Sequence, residues 1–283
     1  MIQQINQSPK RVFVVGCPRS GTTLLQSILM TNSSIVSFPE SHFFVHLFKQ
    51  RTGLQKKYNL ASQYSRPGFK SFMRESGYQK VRPALPRYTL TLGQQTQVFT
   101  NTLDTIAKKQ QKSIWIEKTP DHVNFIDFIE AHVRDVLFIH IVRNGPDVVA
   151  SLYDVTQKYP RDWEGPWKVE RCLNKWITCV QSTCKHLHKP NHLLIKYETL
   201  VNGLDLASQK LSNFIGADLH TNLLTDRQDA FKDIALKREP WKANSAKPIY
   251  QKNSDKFSAL FNINEQKYIL GEIEKARLTD IKD

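Results

Sequence analysis

Short, wholly apolar runs alternate along the chain with longer stretches whose apolar residues recur every three or four positions. Residues 11–16 (RVFVVG) read as a buried parallel strand ending in glycine. Residues 22–30 follow with Leu24, Leu25, Ile28 and Leu29 at helical spacing, so the chain opens strand, loop, helix. Residues 35–38 predict a second short strand, leading to Pro39 and Glu40. Residues 49–88 carry a weak pattern broken by Pro67, Gly68, Gly77, Pro83 and Pro86, which predicts an irregular or short-helical excursion. Strands are expected over 113–117 (SIWIE), 136–142 (VLFIHIV) and 192–197 (HLLIKY). Helices are expected over 96–109, 123–131, 146–156, 167–188, 204–215 and 264–276. Pro146 and Asp147 mark a helix start, because proline suits the first helical position and an acid suits the first turn. Strands alternating with helices predict an α/β, P-loop-like fold: three layers, with a mostly parallel central sheet flanked by helices.

The 283 residues are expected to form one domain spanning 1–283. No basic stretch followed by a long apolar run opens the chain, and no apolar run nears the roughly 18 residues of a membrane span. Cys17, Cys172, Cys179 and Cys184 include no CxxC pair, so buried reduced thiols are expected rather than a disulfide scaffold or zinc site. Together these predict a soluble, cytoplasmic protein with no metal site. The net charge of +14 calls for an anionic partner. Much of it falls between about 41 and 112, where thirteen basic residues face only Glu75 and Asp104.

The chemistry concentrates in residues 16–23 (GCPRSGTT), between the first strand and first helix. A loop there turns backbone N–H groups inward and lies at the positive end of a helix, an anion site. Ser20, Thr22 and Thr23 add hydroxyls, and Gly16 and Gly21 allow close approach. The spacing is that of a Walker A loop, but Thr22 stands where that loop has its lysine. That lysine serves phosphoryl transfer, so its absence opposes an ATPase or kinase. Positive charge enters instead through Arg19. A second constellation follows the strongest strand: Arg143 at its end and Ser151 eight residues later, on the next helix. The two can converge on one phosphate at the carboxyl edge of the sheet, where the planar guanidinium gives two hydrogen bonds.

With these motifs the sequence resembles the PAPS-dependent sulfotransferase superfamily. CPRSGTT is similar to its 5′-phosphosulfate loop, and FIHIVRNGPDVVASLYD to its 3′-phosphate motif. IWIEKTP resembles the element of the carbohydrate-modifying branch, and IKYETLV a strand whose tyrosine, here Tyr197, approaches the nucleotide. The resemblance covers roughly residues 11–201. It implies PAPS (3′-phosphoadenosine-5′-phosphosulfate) as donor and PAP as product, bound by Arg19, Ser20, Gly21, Thr22, Thr23, Arg143, Ser151 and Tyr197. It implies in-line attack of an acceptor hydroxyl on sulfur, with no metal. Glu40, in FPESHFF, is similar to the catalytic glutamate of the glycan and tyrosyl-protein branches; His42 and His122 stand as alternative bases. Lys118 and Arg19 would stabilise charge on the leaving side. The Lys-Thr-His pattern of the small-molecule branch is absent, since Lys118-Thr119 is followed by Pro120. Its glycine-rich nucleotide loop is absent too. Lys242 and Lys247 either close over the nucleotide in its place or belong to a solvated tail. The basic segment at 41–112 is expected to recognise the acceptor, an acidic or glycan-like molecule.

Two other functions stay in view. A P-loop small-molecule kinase predicts lysine at position 22 and a magnesium-binding acid at a strand end. A non-catalytic binder of nucleic acid or anionic surfaces rests on charge alone and leaves the loop and the Arg143–Ser151 pair unexplained.

Overall fold

The computed structural model describes residues 8–81, 91–219, 239, 241 and 256–276. Five parallel strands form the sheet: β1 (Lys10–Gly16), β2 (Ile35–Ser37), β3 (Ile114–Lys118), β4 (Val136–Val142) and β5 (His192–Lys196), in the order β2-β3-β1-β4-β5. Each strand is short and apolar because both of its faces are covered. Successive β1 side chains alternate between two cores, as a two-residue period requires. Val12 and Val14 meet one core, with Leu25 and Ile28 of α1 (Thr22–Leu29). Phe13 and Val15 meet the other, with Phe38, Phe44, Phe99 and Phe138.

Between β2 and β3 lie α2 (Phe43–Phe48), α3 (Gly53–Lys57), α4 (Ser65–Glu75) and α5 (Leu92–Lys109). Over the described part of 49–88 the short-helical expectation holds, but the stretch is no excursion from the core: Phe69, Phe72 and Met73 bury in the second core. After β3 come a 3-10 turn (Pro120–Phe125) and α6 (Ile126–His132), where the sequence predicted one helix. Pro120 starts the turn early and tightly. The rest is α7 (Gly145–Lys158), α8 (Val169–Cys184), α9 (Tyr197–Asn202), α10 (Leu204–Ile215), α11 (Lys256–Leu260) and α12 (Ile263–Lys275).

The order places β1 beside β4, registered Gly16↔Ile141 at their carboxyl ends. The helix following β1 covers the first core, and α7, following β4, covers the second. A crevice therefore opens between the two strand ends, the position where such sheets bind ligands. Among the described residues, no helix is long and apolar enough to cross a membrane.

Candidate active site

The loop after β1 turns on two unusual backbone positions. Arg19 has φ 73° and Gly21 φ 96°. A Cβ on Gly21 would lie 2.4 Å from the Tyr197 ring, so the glycine is what lets that ring seat against the loop. Tyr197 is the first residue of α9 rather than the last of β5. Its ring also carries the Arg143 guanidinium, 4.4 Å from the centroid, a cation–π contact.

Arg143 follows β4 and is pinned on three sides. Its guanidinium donates to Asp147 Oδ2 (2.8 Å), and its carbonyl accepts from Trp176 Nε1 (3.0 Å). Asn144 caps α7 by accepting from the Asp147 N–H (3.0 Å), which sets that acid in place. Arg19 Nε donates to Ser151 Oγ at 3.1 Å, joining the loop to the Arg143–Ser151 motif. Burial, and then the neighbouring Arg143 charge, push the Arg19 guanidinium down from its usual value. Ser20 Oγ and Arg143 Nε are buried without a hydrogen-bond partner among the described residues. Buried polar atoms are normally satisfied, so these two leave hydrogen-bonding capacity open at the loop and at the strand end.

On the β3 side of the loop, Lys118 ends its strand almost fully buried. Its ammonium lies 2.5 Å from Glu40 Oε1 and 3.4 Å from Thr23 Oγ1 at the start of α1. His42 Nε2 is 3.5 Å from Glu40 Oε2. Thr22, Thr23, Glu40 and His42 open onto a cleft of about 1080 Å³. Phe125, Trp163, Trp167 and Trp241 also line it, with Arg171 over the Trp167 ring at 4.2 Å, and so do Asp162, Glu164, Lys168, Glu170 and Lys175. The Arg19 guanidinium approaches the Trp241 carbonyl at 3.5 Å.

The structure thus brings together Arg19, Ser20, Gly21, Thr22, Thr23, Arg143, Ser151 and Tyr197 on one side, and Glu40 and Lys118 on the other. Lys242 and Lys247 lie outside the described residues. Of the two alternative bases, His42 faces the cleft and His122 does not. His122 is fully buried; its Nε2 accepts from the Phe44 N–H (3.3 Å) and its Nδ1 faces Glu117 Oε2 (2.8 Å). Within the basic segment, the described residues lining the cleft are His42 and Val45, so the described bases there do not form its wall. Lys49 reaches the rim by pairing with Glu164 (3.6 Å).

Sequence spacing gave no hint of Asp147 as the partner of Arg143. Nor did it show the cluster of Glu130, His186 and His192, whose ligand-type atoms lie within 4.8 Å of one another. That cluster is bridged by the Lys189 ammonium, 2.5 Å from Glu130 and 3.0 Å from His186.

A family model described as the sulfotransferase family matches residues 9–221 of the 283. The chain belongs to the sulfotransferase family. The match takes in both anion-binding motifs, Glu40 and Lys118. No curated protein matches the sequence. Solved structures share the fold of this sulfotransferase at low identity. The sulfotransferase domain of the Synechococcus PCC 7002 olefin synthase superposes with TM-score 0.60 at 18% identity, covering 97% of this chain and 98% of that one. The sulfotransferase domain from the curacin biosynthetic pathway gives TM-score 0.58 at 21% identity, covering 95% and 99%. A mouse sulfotransferase solved with PAP gives TM-score 0.53 at 15% identity, covering 96% and 85%.

Proposed function

We propose that this sulfotransferase moves a sulfuryl group from PAPS to an acceptor hydroxyl by in-line displacement, with Glu40 as the base. The observation that carries this is Lys118, whose one ammonium touches both Glu40 and Thr23 of the loop helix. It joins the anion loop to a carboxylate facing the cleft. The partnerless Ser20 Oγ and Arg143 Nε fit the anionic groups of a bisphosphorylated nucleotide, and the PAP-bound mouse neighbour supports that donor.

PAPS supplies the sulfuryl group and departs as PAP. Glu40 accepts the proton of the hydroxyl as its oxygen bonds to sulfur. The electron pair of the breaking sulfur–oxygen bond goes to the phosphate oxygen, where Lys118 and Arg19 stabilise the charge. Arg143, Ser151 and Tyr197 hold the nucleotide end. Sulfuryl carries less charge than phosphoryl, so these fixed cations serve without assigning a step to a metal.

The cleft suits a glycan-like acceptor. Trp163, Trp167 and Trp241 line it together with acids (Asp121, Asp162, Glu164, Glu170) and bases (Lys168, Arg171, Lys175), and aromatic faces beside polar groups suit sugar rings. Cys17, Cys172 and Cys179 are buried and free, which fits a cytoplasmic setting. Glu40→Gln should lower turnover on the order of 100-fold or more while PAP affinity holds. The assay is PAP release from PAPS, with water or a neutral chito-oligosaccharide as acceptor. Turnover at the wild-type rate would remove Glu40 from the chemistry.

A further inference from the structure

Glu117 is fully buried, and nothing in the chemistry above uses it. A carboxylate in such a place is costly unless its oxygens are filled. Here they are filled: Oε1 accepts from Ser41 Oγ (2.7 Å), Thr119 Oγ1 (2.6 Å) and the Ser41 N–H (3.3 Å), and Oε2 faces His122 Nδ1 (2.8 Å). Burial works to raise the Glu117 carboxyl. The contact with His122 and the hydroxyls of Thr119 and Ser41 outweigh it and hold the group below the usual carboxylate range.

Those donors come from two short segments. Ser41 directly follows Glu40, and Thr119 and His122 directly follow β3. Thr119 Oγ1 also accepts from the N–H groups of Ser41 (3.1 Å) and His42 (3.2 Å). The held backbone is one that would not hold itself, since His42 has φ 48°, an uncommon left-handed conformation outside glycine and asparagine. Consecutive strand residues point to opposite faces. The end of β3 therefore grips one segment twice: Lys118 takes the Glu40 side chain, and Glu117 takes the backbone just behind it.

We infer that Glu117 is a positioning residue, which acts through Ser41 and Thr119 to hold Glu40 at the mouth of the cleft. The inference rests on Glu40 as base. It also reassigns His122 from an alternative base to an anchor of that same clamp. Glutamine at 117 is nearly isosteric but places an NH₂ group against neighbours that are donors, so the clamp loosens while the core volume stays.

The test compares E117Q, E40Q and the double variant in the full chain. The readouts are PAP release from PAPS with water as acceptor and PAP binding by calorimetry. E117Q should lower kcat about 10- to 100-fold, the range a slight misplacement costs, with KM for PAPS and PAP affinity within about twofold. Added to E40Q it should cost nothing further, because both changes act through one group. Wild-type kcat in E117Q, a loss that multiplies with that of E40Q, or a loss confined to PAP affinity would each overturn the positioning role. E40Q turning over at the wild-type rate would instead strike the base assignment, and the positioning role with it. Should E117Q fail to fold, Thr119→Val against Thr119→Ser decides. The serine variant keeps the hydroxyl and should turn over at least about 10-fold faster; equal rates would overturn the inference.

Discussion

Gly21 shows how one atom shapes the proposed donor site. Its φ of 96° and the 2.4 Å gap between a built Cβ and the Tyr197 ring leave no room for a methyl group. Gly21→Ala must either distort the loop or push Tyr197 off it, which also frees the Arg143 guanidinium stacked on that ring. We predict PAP binding at least about 10-fold weaker, roughly the 1.4 kcal/mol that a strained backbone position costs, read by calorimetry. Unchanged affinity would mean that the loop tolerates the side chain. Much of this site was legible residue by residue. The glycines, Arg19, Arg143 and Ser151 stand at spacings that loop and strand-end geometry dictate. The Glu117 clamp was not legible, since Ser41, Glu117, Thr119 and His122 carry no periodicity and meet only because β3 ends beside the segment after β2.

Among elements, the strands were the clearest, because a run buried on both faces has few other readings. The 136–142 and 204–215 segments match β4 and α10 at both ends. Helix starts were harder. α5 begins at Leu92 rather than 96, because its first turn, with Leu92 as its one apolar side chain, is fixed by a capping box. Thr91 Oγ1 accepts from the Gln94 N–H (3.2 Å), and Gln94 Oε1 accepts from the Thr91 N–H (3.2 Å). That helix carries Phe99, whose ring stacks on Phe43 with centroids 4.1 Å apart and 6° between planes. The stack ties α5 to α2, and so to the segment following Glu40. Phe99→Ala should cost about 3–5 kcal/mol, the usual range for emptying a buried aromatic site. Urea denaturation measures it, and a loss under about 1 kcal/mol would show that α2 does not depend on α5.

The whole molecule carries a buried histidine network beneath its catalytic edge. His140 on β4 bonds Thr183 Oγ1 (3.1 Å) and His192 (2.8 Å), and His192 bonds Glu130 (3.0 Å). Burial, and then the facing His192 and His186, hold His140 down to about 3, with Glu130 opposing; His186 and His192 are also lowered. The unfolded chain takes up these protons near pH 6.5 and the folded chain does not, so stability is complete above that pH and falls as pH drops through the window from about 6.5 to 3. His140 alone should cost about 2 kcal/mol at pH 5, which lowers Tm by roughly 4–8 °C relative to pH 8. A flat Tm over that range would contradict the neutral network. Charge was the least instructive feature of the sequence. The basic residues of 41–112 read as an acceptor surface, yet those described there leave the cleft wall to tryptophans and charged residues of both signs from other segments.

The central proposal is a nucleotide held at both ends, by the loop after β1 and by Arg143 after β4. Calorimetric titration with PAP, with ATP as the competitor and Arg143→Ala alongside, tests it most directly. We predict micromolar PAP binding that exceeds ATP binding and collapses in the variant. No PAP binding, or a preference for ATP, would contradict the donor site and return the kinase alternative to the front.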